Sequence, residues 1–174
     1  MLFRSLVAPV SGLTQPITET NWQNHAAIVQ IRAIYQSIQK DEAAGRLRKI
    51  RKQWPGDCEK QPYEDDERIL YVDAKGAVRS YHFSGGSEDS SMTRALYYDQ
   101  EGKLRFALIK AGAVNGTSLE HRVYLGADGA RLWERQTLLK GPGYTFPQRE
   151  WPDADLVRRP KSAFDDNAPC QKRG

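Results

Sequence analysis

Apolar and polar residues alternate from about Arg68 to Leu139, and within that stretch one pattern comes three times. Leu70-Tyr71-Val72-Asp73-Ala74-Lys75-Gly76-Ala77-Val78-Arg79 is followed by Leu96-Tyr97-Tyr98-Asp99-Gln100-Glu101-Gly102-Lys103-Leu104-Arg105. The third copy, Val123-Tyr124-Leu125-Gly126-Ala127-Asp128-Gly129-Ala130-Arg131-Leu132, has Gly126 in place of the Asp, and its Leu132 stands one place later. The tyrosines recur at intervals of 26 and 27 residues, and Gly76, Gly102 and Gly129 keep the same spacing. A period of that length marks one supersecondary unit used several times.

Asp-x-x-Gly between two alternating runs is a hairpin signal. The Asp side chain bonds the backbone ahead of it, and Gly takes the positive-φ position that closes the turn. Three hairpins and six strands are therefore predicted. Gly85-Gly86-Ser87 links the first two hairpins, and Gly112 to Ser118 links the last two. Short links between consecutive strands favour an antiparallel meander.

Alternation also assigns faces. Leu70, Val72, Val78, Leu96, Tyr98, Leu104, Phe106, Leu108, Val123, Leu125 and Leu132 fall on one side as a core face. Tyr71, Tyr97 and Tyr124 fall in a row on the other, with Arg79, Arg105 and Trp133 nearby. These six residues are the predicted binding face, because Tyr, Trp and Arg are the types enriched in binding hot spots. Arginine also stacks on aromatic rings. An ordinary solvated sheet face with cross-strand Tyr–Arg pairs would read the same way.

The N-terminal third has a different period. Residues 1–19 hold Pro9, Gly12 and Pro16 and read as an extended arm. Thr20 or Asn21 is the expected N-cap. Trp22, Ala26 and Val29, then Ile28, Ile31, Tyr35 and Ile38, then Ala43, Leu47, Ile50 and Trp54 come in steps of three and four. This predicts an amphipathic helix over 20–54, with a possible interruption near Gly45 and an end at Pro55-Gly56. At 1.5 Å per residue it would be roughly 45–50 Å long. It is expected to cover the leucine face, with Ile31, Tyr35, Ile38 and Leu47 against Leu96, Leu104, Phe106 and Val123. Residues 140–174 read as a loop-rich tail with Tyr144, Phe146 and Trp151 as anchors. The expected fold is α+β: a single domain over 1–174, with a long helix on one face of a six-stranded meander at 68–139.

The motif Tyr-Tyr-Asp-x-x-Gly-Lys-Leu resembles the tyrosine–glycine hairpin repeats (MORN and YD types) found in many bacterial proteins. The resemblance covers the ten residues of each copy quoted above and carries no catalytic residue. It implies a shape and not an activity.

Composition narrows the picture. An apolar share of 39%, with four Trp and eight Tyr, is too high for a disordered chain, and 174 residues suffice for one core. A net charge of +4 only weakly favours anionic partners. The basic run Arg46, Arg48, Lys49, Arg51, Lys52 would suit the negative end of the helix dipole. A nucleic-acid or lipid-headgroup patch is the sharper reading of that run, but no motif accompanies it. The acidic run Glu59, Glu64, Asp65, Asp66, Glu67 reads as a solvated loop.

Cys58 and Cys170 lie outside any Cys-x-x-Cys pair, and no His stands at metal-ligand spacing, so neither a metal nor a cofactor is expected. A Cys58–Cys170 disulfide is expected instead, and with it a periplasmic or secreted location; two free thiols in a cytoplasmic protein are the alternative. The N-terminus, Met1-Leu2-Phe3-Arg4 with a short apolar stretch broken at Pro9, is too short for a secretory signal and decides nothing.

No nucleophile, phosphate-binding or dinucleotide motif is present. The expected function is a non-catalytic, extracytoplasmic binding module of bacterial type. Its partner would be a protein or an anionic polymer, as for an inhibitor or envelope adaptor. A carrier of an apolar ligand between helix and sheet is the alternative. A hydrolase with an unfamiliar site at His82 or His121 is the second.

Overall fold

The computed structural model describes residues 15–53, 64–86, 88–144 and 159–165. Its first helix, α1 (Ala26–Ala43), is 18 residues long. His25 caps it, the ring Nδ1 accepting from the Ala27 N–H at 3.3 Å. The other end is set by Gly45, whose φ is +66°, a conformation that residues with a Cβ adopt at a cost. Around it the Gly45 N–H donates to Glu42 O at 3.1 Å and the Arg46 N–H to Asp41 O at 2.9 Å. Those are the two bonds of a Schellman cap. Arg46 Nε also donates to Asp41 Oδ1 at 2.7 Å, tying the departing chain to the last turn.

The helix expected over 20–54 is therefore cut short. Beyond Gly45 the chain enters a strand, β1 (Arg48–Gln53). Next come β2 (Glu64–Val72), β3 (Val78–Gly86), β4 (Ser90–Tyr98), β5 (Leu104–Ala113), β6 (Ser118–Leu125), β7 (Arg131–Lys140) and a one-turn helix, α2 (Pro160–Asp165). The sheet has seven strands in sequence order, all antiparallel, rather than six. The protein is mostly β. Leu47 and Ile50 satisfy a helical step of three, which is why they read as helix. Pairing of Arg48–Gln53 with Glu67–Val72 decides otherwise. Part of the acidic run, Glu64–Glu67, is the start of β2 and not a loop.

The three hairpins are present, and their turns are built alike. Asp73, Asp99 and Gly126 each donate their N–H to the carbonyl four residues on, at 2.8–2.9 Å, and accept from the glycine three residues on. Asp73 Oδ1 and Asp99 Oδ1 each also accept two backbone N–H groups of their own turn. The β5–β6 link, Ala113–Thr117, repeats the same backbone pattern. Where the first position is not Asp, an Asx at the third supplies the oxygen: Asn115 to the Thr117 N–H and Asp128 to the Ala130 N–H.

Each hairpin then carries a bulge. Tyr71 faces Ser80 but Val72 faces Val78, which leaves Arg79 over. In the same way Arg105 and Leu132 are left over in the second and third hairpins. A bulge reverses which face the residues beyond it occupy. Phe106 and Leu108 therefore leave the leucine side and join the tyrosines.

Both faces of the sheet hold a core. On one, Leu70, Val72, Tyr81, Leu96, Tyr98, Leu104, Val123 and Leu125 cluster with Phe164 of α2. On the other, Trp22, Ile28, Ile31 and Ile38 pack on Tyr97, Phe106 and Tyr124. So α1 lies on the tyrosine face. The expected docking of Ile31, Tyr35, Ile38 and Leu47 against Leu96, Leu104 and Val123 is corrected; of the four expected sheet partners only Phe106 is on that side.

Burial pushes the phenols of Tyr97 and Tyr98 well above the ordinary tyrosine range, and the Glu42 carboxylate adds to the effect at Tyr97. In the unfolded chain these phenols ionise near pH 10, while in the folded chain they keep their protons. Their contribution is complete below about pH 10 and is lost as pH rises above it. Stability is therefore expected to fall in that window. Alkaline absorbance titration should show part of the tyrosines ionising only together with unfolding. A smooth titration of all eight near pH 10 with the fold intact would contradict this packing.

Candidate functional site

Cross-strand partners set out the helix-bearing face in rows. The first runs Tyr71, Ser80, Tyr97, Phe106, Tyr124, Trp133 from β2 to β7. The predicted Tyr71–Tyr97–Tyr124–Trp133 alignment therefore exists, but α1 crosses it. Tyr97 is 2% exposed and Tyr124 is fully buried. Tyr35 of α1 sits on the Tyr97 ring at 4.8 Å and on the Phe106 ring at 4.9 Å. Trp22 stacks on Trp133 at 6.3 Å, and Arg135 lies 5.6 Å over the Trp22 ring. The row is a core and not the open face expected of it.

The two arginines of that expected face are also placed differently. Arg105 sits in the second bulge, where Nη1 donates to Asp99 Oδ2 at 3.1 Å and Nε donates to Leu125 O at 3.2 Å. Arg79 sits half-buried in the first bulge. The alternation misplaced both because a bulged residue belongs to neither strict face.

Where α1 ends, it is latched to β3. Ser80 Oγ donates to Glu42 Oε1, and His82 Nε2 lies 3.3 Å from the same oxygen. The rings of Tyr71 and Tyr97 stand 5.3 and 5.8 Å from the imidazole. Serine, histidine and a carboxylate are thus together, but in an order that does not activate the hydroxyl. In a nucleophilic triad the imidazole stands between hydroxyl and carboxylate. Here the carboxylate stands between, and Ser80 is fully buried. His121 pairs with Glu134 at 3.2 Å on the opposite face. Among the described residues no group of three His, Cys, Asp or Glu could hold a metal ion.

The second and third rows of the helix-bearing face lie beside α1. They are Ile69, His82, Ala95, Leu108, Arg122, Arg135, then Glu67, Ser84, Thr93, Lys110, Glu120, Thr137. Between these rows and the flank of α1 lies an open hollow of about 380 Å³, lined by Gln39, Glu67, His82, Ser84, Thr93, Leu108 and Lys110 among others. Thr93 and Lys110 are exposed there. The hollow offers an acid, a cation, an imidazole and hydroxyls on hydrogen-bonded strands, and the Gln39 amide on α1. It went unseen in the sequence because the helix was expected on the other face. Cys58 and Cys170 lie outside the described residues.

Comparison with protein-family models, curated proteins and solved structures finds no match for this chain. Among the described residues no helix is long and apolar enough to cross a membrane; this does not bear on membrane β-barrels.

Proposed function

We propose that this chain is a non-catalytic binding module that presents the open part of its helix-bearing face to a protein or an anionic polymer, as an inhibitor or envelope adaptor would. The observation that carries the reading is the hollow beside α1, with its mixed polar lining on paired strands. A site built on strands is held more rigidly than one on loops. The carrier reading has less support. The space between helix and sheet is taken by Tyr35, Tyr97, Phe106 and Tyr124, and a hollow there of about 80 Å³ falls far below the several hundred Å³ that small-molecule sites need. The hydrolase reading also has less support: Ser80, the hydroxyl that shares Glu42 with His82, is fully buried. A periplasmic or secreted location belongs to the same proposal and rests on Cys58 pairing with Cys170; two titratable thiols in protein handled without reductant would remove that support.

A photo-crosslinking residue at Thr93 tests the site, with the same residue at exposed Gln136 on the opposite face as control. The expected result in an extract of the source cells is a discrete adduct at Thr93 alone, identified by mass spectrometry. It should be reproduced with the purified partner and weakened by Lys110→Glu. Equal adducts at both positions, or none at Thr93 together with no retention on immobilised heparin, would overturn the proposal.

A further inference from the structure

The basic run read from the sequence as a helix end is a sheet edge. β1 is first in the strand order and pairs along its length with β2 alone among the described residues. Its sequence is Arg-Lys-Ile-Arg-Lys-Gln. Side chains alternate, so Arg48 and Lys52 flank Ile50, which packs on the leucine core, while Lys49 and Arg51 point to the other face. The edge is thus positive on both sides of the sheet. The side chains of Arg48 and Lys49 are exposed and form no hydrogen bond or ion pair within the described residues; Arg51 leans on Glu67 with its side chain still 60% exposed. At the start of the strand, Arg46, Arg48 and Lys75 rim a shallow hollow of about 470 Å³ over the first hairpin turn.

An open edge offers unpaired N–H and C=O groups to any passing strand, and lysine or arginine on it deters that pairing. The deterrence has a sign. A second β1, or any basic strand, would set like charges directly opposite, which destabilises a ladder. A strand with carboxylates at alternate positions would set them beside the cations of one face, Lys49 and Arg51 or Arg48 and Lys52, and turn those pairs into attractions. We propose that the β1 edge docks an extended acidic segment of a partner protein, which adds to the sheet beside β1. The ladder supplies affinity and the flanking charges select the sequence, the division of labour in strand addition. A nucleic acid or a sulfated polysaccharide would use the charges and leave the backbone edge empty. This surface meets the hollow beside α1 through the Arg51–Glu67 pair, but Arg48 and Lys49 lie outside that hollow, so either proposal can fail alone.

The test uses the full chain and a panel of fluorescent peptides of about seven residues, within the usual range of strand lengths, with Glu alternating with Val or Thr. Each has a counterpart N-methylated at alternate residues, which keeps charge and composition but removes ladder donors. Anisotropy is expected to show binding by the parent peptides and loss on N-methylation. Binding should weaken by about tenfold in Arg48→Glu/Lys49→Glu, whose fold circular dichroism checks. The wild-type backbone amides of β1 should shift in NMR spectra on adding the parent peptide. No binding by any peptide, binding that survives N-methylation, or displacement by heparin or single-stranded DNA with no β1 amide shifts would overturn the proposal.

Discussion

Tyr97→Ala is expected to lower the unfolding free energy by about 3–5 kcal/mol, the range for emptying a large buried aromatic site. Its ring meets Tyr35, Phe106 and His82 between helix and sheet, and only 2% of its surface reaches water. Tyr97→Phe keeps that packing and gives up only the hydroxyl, for about 1 kcal/mol. Tyr71→Ala, at the half-buried end of the same row, should cost well under half of the Tyr97→Ala loss. Urea midpoints rank the three. Equal small effects at Tyr71 and Tyr97 would mean that α1 does not cover the row.

The second large effect is expected at a turn. Asp99 accepts the Glu101 and Lys103 N–H groups with Oδ1 and Arg105 Nη1 with Oδ2. Only 14% of the Asp99 side chain and 17% of the Arg105 side chain are exposed. Asp99→Ala strips a mostly buried guanidinium of its counter-charge, so about 3 kcal/mol is expected, the low end for breaking a buried pair. Asp73→Ala removes the same two turn bonds where water can replace them, and about 1 kcal/mol is expected. Thermal unfolding of both variants checks the contrast, and equal losses would assign the effect to the turn alone.

The turns were legible because their chemistry is local. Asp-x-x-Gly states both the oxygen that closes the turn and the residue that tolerates positive φ, and Gly76 and Gly102 take φ values of +82° and +76°. The end of α1 was half legible: Gly45 was a possible break, but Leu47 and Ile50 kept the helical step beyond it. β1 has one apolar residue in six, so its strand state comes from β2 and not from its own pattern. The faces were misread for two physical reasons. The bulges at Arg79, Arg105 and Leu132 shift the alternation within each hairpin, and the sheet buries both sides, so an aromatic row did not have to mean an open one. The hollow at Thr93 and Lys110 exists only because α1 is short and lies across the first row, which no local signal reports.

The shared bulge has a consequence for how such a chain can grow. Every unit enters and leaves with the same register, so a duplicated unit would pair with neighbours on both sides and drop its tyrosine into line. Growth of that kind meets a limit in α1. At about 27 Å, the helix spans about five strands spaced ~4.8 Å apart. With Trp22, four residues ahead of the helix, the observed contacts run that distance, from Trp22 against Trp133 on β7 to Glu42 against Ser80 on β3. Further hairpins would leave bare rings beyond the end of the helix. In this architecture α1 is the ruler: the number of repeats can rise only as fast as the helix lengthens to cover them.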